Sequence, residues 1–199
     1  MADLEKTGKN LEGRGFRVHR FATGAEAAEF LVQTLHGTSI GIGGSVTIDT
    51  LGVYDRLCGS NEVIWHWKNH APETRERAGK AETYLCSANG VSENGEIVNI
   101  DGFGNRVAGT IYGPERVFLV VGRNKIAPDL TGAIDRARNI AAPLNARRLN
   151  RHTPCAVGEP RCHDCRSPEK VCGVMTVFFM PPTSIKEFHV ILVDEDLGY

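Results

Sequence analysis

The sequence predicts an α/β fold, a mostly parallel sheet flanked by helices, and three observations carry that reading. Apolar runs of strand length alternate with segments of helical period along the chain. Thr38 to Cys58 reads as strand, glycine-rich turn and helix, the unit from which parallel sheets covered on both faces are built. The 199 residues hold no low-complexity linker and no internal repeat, so 1–199 is expected to be one domain with its own core.

Taken in order, the first strong helix signal is Thr23 with Glu26 three residues on, a capping box, followed by Ala27, Phe30, Leu31 and Leu35 on one face. Thr38 to Ile42 is a strand that runs into Gly41-Ile42-Gly43-Gly44-Ser45-Val46-Thr47, and Leu51, Tyr54 and Cys58 then continue at helical spacing. Glu62 to Trp67 reads as a strand, Pro72 to Lys80 as a polar helix and Thr83 to Ala88 as a further strand. Asn94-Gly95 is a hairpin-turn signal, and short strands are expected at Glu96 to Ile100 and Arg116 to Val121. A long helix starts at Asp129 with a stripe of Leu130, Ala133, Ala137, Ile140, Ala141 and Leu144, and Pro143 should kink or divide it. Val174 to Met180 and Phe188 to Val193 read as closing strands.

Charge excludes some functions. Lys+Arg 23 balances Asp+Glu 24, a net charge of −1, so no overall field draws the chain to nucleic acid or an anionic membrane. Arg136, Arg138, Arg147, Arg148 and Arg151 read as the solvated face of a helix. No apolar run approaches the roughly 20 residues of a spanning helix, and the N-terminus lacks an apolar signal core, so a cytoplasmic protein is expected. Six cysteines there should be reduced thiols, free for metal binding, catalysis or burial.

Four of them give the strongest chemical signal. Cys155, Cys162, Cys165 and Cys172 follow the spacing C-x6-C-x2-C-x6-C on a proline- and glycine-containing loop, residues 151–173. Four thiolates can close a tetrahedral shell around one ion, and Arg151, His152, Arg161, Arg166 and Lys170 would offset their charge. Zinc suits a closed site with two six-residue gaps; an iron–sulfur cluster is the alternative. Cys58 and Cys86, on a predicted helix and strand, are expected to be buried.

Two glycine-rich loops supply a second site. Gly43, Gly44, Ser45 and Thr47 combine close backbone approach, helix N–H groups and hydroxyls, which suits a small anion. Asp101, Asn105 and Arg106 place an acid, an amide and a cation on the other loop, although turn chemistry accounts equally for the first two.

These residues carry a family resemblance over nearly the whole chain. Gly-Ile-Gly-Gly-Ser-Val-Thr, the run from Asn89 to Ala108, Val-Gly-Arg-Asn-Lys-Ile-Ala, Ala-Ala-Pro-Leu-Asn-Ala-Arg-Arg and Asp-Glu-Asp-Leu-Gly-Tyr resemble the LUD-domain lactate-utilisation proteins, the group containing LutC. The cysteine loop is that of the stand-alone branch. The resemblance implies a fold like the NagB/RpiA/CoA-transferase superfamily and a part in oxidising L-lactate to pyruvate beside iron–sulfur partner proteins. It also implies a pocket for a small anionic ligand between the Gly41 and Asp101 loops, lined by Asn89, Asp101, Asn105, Arg106 and Lys125. Where related isomerases carry an acid–base aspartate this chain has Asn89, so Asp101 is the carboxylate left for catalysis. Two other classes fit the same residues: a non-catalytic metal-binding assembly or redox-sensor protein, and a free-standing isomerase or transferase acting on a sugar phosphate or CoA ester.

Overall fold

The structure, a computed structural model, describes residues 3–199. Its centre is a six-stranded, all-parallel sheet in the order β1-β10-β7-β4-β2-β3, made of Arg17–Phe21, Glu187–Val193, Arg116–Gly122, Thr83–Ser87, Ser39–Ile42 and Glu62–Trp65. The inner strands are apolar on both faces, so successive residues serve different cores. Leu85, Phe118, Val120, Ile191 and Val193 meet α2 (Gly24–Thr34), α3 (Val46–Thr50) and α4 (Tyr54–Cys58) through Leu31, Ile48 and Leu57. Tyr84, Cys86, Leu119, Val121 and Val190 face the opposite way, onto α1 (Leu4–Gly13), α5 (Thr74–Gly79) and a second sheet.

That second sheet has four strands in the order β8-β5-β6-β9: Ile126–Ala127, Gly90–Ser92, Ile97–Asp101 and Val174–Phe178. Asn94-Gly95 turns β5 into β6, with Gly95 at φ 91°, as its sequence signal requires. The outer face of this sheet is sealed by α7 (Leu130–Arg136) and its continuation through Ala133, Ala137 and Ala142. The layers therefore run helix, sheet, sheet, helix.

Three sequence expectations change in the structure. Leu51, Tyr54 and Cys58 do not share one helical face, because Gly52 at φ 63° separates α3 from α4 and resets the phase. Val53 and Leu57 turn inward instead, and Cys58 is exposed while Cys86 is buried as expected. The helix begun by the Asp129 cap opens into a π turn at Ala137–Ala141 before α8 (Ala142–Arg148). Pro143 cannot donate to the carbonyl four residues back, and a wider turn accommodates it with the ring buried. The shift in phase leaves Ile140 46% and Leu144 36% exposed, and Arg136, on the turn before it, is buried. The N-terminal α1 and β1 escaped the sequence reading because both are polar. β1 is an edge strand whose Arg17 and Arg20 face water, a means of discouraging edge pairing.

Candidate functional site

β2 connects outward to β3, whereas β4 connects toward β7, so the direction of winding reverses between β2 and β4. Crevices beyond the strand carboxyl ends at such a reversal are the usual ligand positions of open α/β sheets. Here the crevice is a cleft of about 660 Å³. Its walls come from the segments leaving four strands: Gly44 to Thr47 after β2, His66 and Trp67 after β3, Ser87 to Asn89 at the end of β4, and Lys125 after β7.

Of the residues expected at this site, Gly44, Ser45, Thr47, Asn89, Asp101, Asn105, Arg106 and Lys125 line the cleft. Gly43 stands behind it: a Cβ there would press on Arg106 and on the Tyr84 hydroxyl, each at 3.0 Å. Several expected ligand groups have internal partners. Ser45 caps α3 by accepting from the Ile48 N–H at 3.2 Å. Thr47 donates to the Leu197 carbonyl at 3.2 Å. The Asn89 side-chain oxygen accepts from the Ile100 N–H at 2.9 Å and from Arg106 at 2.6 Å. Asp101 accepts from the Phe103 N–H with one oxygen, at 3.2 Å, and from the Arg106 and Val107 N–H groups at the start of α6 (Asn105–Ile111) with the other, at 3.1 and 3.2 Å. The second of these oxygens caps the helix.

The cations are different. Arg106 reaches the Ser87 and Ile100 carbonyls and the Asn89 amide, all neutral acceptors. Lys125 is 2% exposed, and its Nζ lies 2.7 Å from Thr47 Oγ1 and 2.8 Å from Ser87 Oγ. Burial, then Arg136 and Arg106, pull its amine well below the ordinary lysine range. Arg136, 7% exposed, donates to the Asn124 and Asn89 carbonyls, and burial lowers its pKa to about 10. The expected solvated arginine is thus a buried brace between two strand-end loops.

Sequence reasoning missed several residues of the cleft. His66 lines it with an unpartnered buried Nδ1, and burial, followed by Arg75 and His70, depresses its pKa to about 4. Arg148 lies over the Trp67 ring, 4.6 Å from the centroid, and donates to the Tyr199 hydroxyl at 2.9 Å. Tyr199 in turn donates to Asn145 at 2.9 Å. One local signal was available: His66 and Trp67 lie at the carboxyl end of a strand, where parallel sheets place ligands. No local signal announced Tyr199. Among the described residues lining the cleft, Arg75, Arg106, Lys125, Arg148, Arg151 and Lys170 outnumber the acidic side chains of Asp101 and Glu169.

Cys155, Cys162, Cys165 and Cys172 line a second cavity of about 390 Å³. Arg138 approaches Cys162 Sγ at 3.4 Å, the Asp164 N–H does so at the same distance, and Thr153 Oγ1 is 3.3 Å from Cys155 Sγ. The loop is tied to the π turn by the Cys162 N–H donating to Asn139 at 2.9 Å. Burial raises the Cys172 thiol, and Lys170 opposes the shift. Among the described residues, no three His, Cys, Asp or Glu side chains are gathered as a metal-ligand group. Ile100, Ala142, Lys170 and Val171 line both cavities, so the cysteine loop supplies part of the cleft wall. Among the described residues, no helix is long and apolar enough to cross a membrane.

Comparison with known proteins places this architecture. A DUF162 family protein from Deinococcus radiodurans shares the fold over 96% of this chain and 95% of its own, with a TM-score of 0.56 and 14% identity. A search of the curated proteins found no match. The LUD domain model matches residues 4–193, from the first helix to the end of the last strand, and the chain belongs to the LUD domain family.

Proposed function

We propose that this LUD domain protein is a component of L-lactate utilisation, of the stand-alone type, that holds a small organic anion in the cleft. The cleft's excess of guanidinium groups carries this reading: Arg106 has neutral partners, and Arg75, Arg148 and Arg151 share the cleft lining. A small carboxylate would supply the missing charge and accept several donors at once. Such a ligand suits both lactate and pyruvate, in keeping with the family resemblance and with iron–sulfur proteins as partners in the oxidation. A sugar phosphate or CoA ester carries similar charge.

The experiment is a thermal-shift and calorimetric series with lactate, pyruvate, coenzyme A and sugar phosphates. The expected result is stabilisation by a small carboxylate, weakened at least tenfold by Arg148→Met, about 1.4 kcal/mol or more of binding energy. Arg148 is the choice because it is exposed and braces only side chains. No response to any of these ligands would leave the non-catalytic assembly or sensor reading in its place.

A metal at the cysteine loop is the second part of the proposal, favoured by the four thiols sharing one cavity. An all-sulfur donor set is soft and suits zinc, with an iron–sulfur cluster as the alternative. Elemental analysis of anaerobically purified protein is expected to give about one zinc per chain and no visible absorption. Cys162→Ser and Cys172→Ser should each lose most of that metal. Brown protein with iron and sulfide would instead assign a cluster, and metal-free protein would remove the site.

A further inference from the structure

We propose that Lys125 is an amine nucleophile that condenses with the carbonyl group of a 2-oxo carboxylate held in the cleft. The inference rests on reading the cleft as a small-carboxylate site and deepens it to a covalent chemistry.

The surroundings of Lys125 differ from those of the paired surface lysines. Lys6, Lys9, Lys68, Lys80 and Lys186 each face a Glu or Asp carboxylate. Lys125 is buried at the floor of the cleft, and its hydrogen-bond partners are the hydroxyls of Thr47 and Ser87. A buried ammonium without a counter-charge costs several kcal/mol, so such an amine tends to shed its proton.

Counting hydrogen bonds leads to the same place. Thr47 points its own proton at the Leu197 carbonyl, and Ser87 points its proton at the Ala88 carbonyl, 3.3 Å away. Both hydroxyl oxygens must therefore accept from Lys125. A neutral amine has two N–H groups and one lone pair. The two N–H groups are consumed by the two hydroxyls, which leaves the lone pair as the reactive direction. An ammonium would present a third N–H for which the described residues offer no acceptor. Burial and the positive charges of Arg136 and Arg106 act in the same sense on proton affinity.

The ligand class follows from what surrounds the amine. Arg106 and Arg148 line the same cleft as the lysine and offer their charge to a carboxylate, so the ligand class is one with a carbonyl carbon next to that carboxylate. The nitrogen lone pair forms a C–N bond as the C=O π bond breaks, and one of the two amine protons passes to the carbonyl oxygen. The resulting carbinolamine loses its hydroxyl group as water, with the second amine proton, to leave a C=N bond. No oxidant or reductant is consumed.

The test uses the full-length protein, pyruvate as probe and sodium borohydride as trap, with calorimetry on the untrapped mixture. The expected result is a mass gain of one reduced pyruvate per chain, mapped to Lys125 and absent from Lys125→Arg. Ser87→Ala, which keeps the lysine, should trap at least tenfold more slowly, and so covers the case in which Lys125→Arg folds poorly. Pyruvate that binds by calorimetry without forming an adduct overturns the imine and leaves the anion site standing. An adduct that persists in Lys125→Arg, or maps to surface lysines, likewise overturns it. Absence of pyruvate binding overturns the imine along with the carboxylate reading of the cleft.

Discussion

Gly41→Ala is expected to destabilise the protein by about 3 kcal/mol or more and to leave little folded material, because the added methyl has nowhere to go. Gly41 sits within β2, paired with Tyr84 of β4 and Ile64 of β3. A Cβ built on it would overlap the Ala78 carbonyl of α5, which is backbone on both sides of the contact. Neither partner can rotate away as a side chain could. Relief requires α5 to lift from the sheet, and that would open the core around Ala78, Tyr84 and Val117. Gly44→Ala is the control. Its Cβ would meet only Trp67 and His66, at 3.5–3.6 Å, an ordinary contact on the cleft wall. Urea unfolding should show a large loss of midpoint for the first variant and less than about 1 kcal/mol for the second. Any effect of Gly44→Ala should fall on ligand binding.

The glycine run shows what local sequence conveys and what it conceals. Its strand–turn–helix grammar was legible, as were the Thr23–Glu26 capping box, the Asp129 cap and the Asn94-Gly95 turn, because each is decided by a few adjacent residues. The separate duties of the glycines were hidden. Gly41 admits a helix, Gly43 admits Arg106 and Tyr84, and only Gly44 faces the cleft, assignments fixed by partners far away in the chain. Arg136 failed for a related reason: its guanidinium is taken inside by the Asn124 and Asn89 carbonyls, partners distant in the chain. The cleft gathers segments from β2 to Tyr199, so pattern could nominate Arg106 and the family resemblance Lys125, while His66, Trp67 and Tyr199 went unseen.

Arg106→Met should reduce carboxylate binding at least tenfold and cost about 2–4 kcal/mol of stability, the second largest effect expected of any single change. The guanidinium joins Ser87 at the end of β4, Asn89 before β5 and Ile100 near the end of β6. It therefore bonds the large sheet to the small one across the floor of the cleft. Methionine fills similar volume, so the loss is of donors rather than packing: the Ile100 carbonyl and the Asn89 amide lose their partner together. Asn89 would keep the Ile100 N–H, which limits the structural damage. Arg106→Lys separates the two roles. A lysine ammonium retains the charge but cannot span three acceptors with a planar fork, so stability should stay low while ligand affinity recovers in part. Parallel urea and calorimetric titrations of the two variants measure this. Equal affinity in Arg106→Met and the native protein would mean that the ligand charge is met elsewhere, by Arg148. Equal stability would mean that the sheets are held together by their apolar contacts alone, through Val91, Ile97 and Phe178 against Leu119 and Phe188.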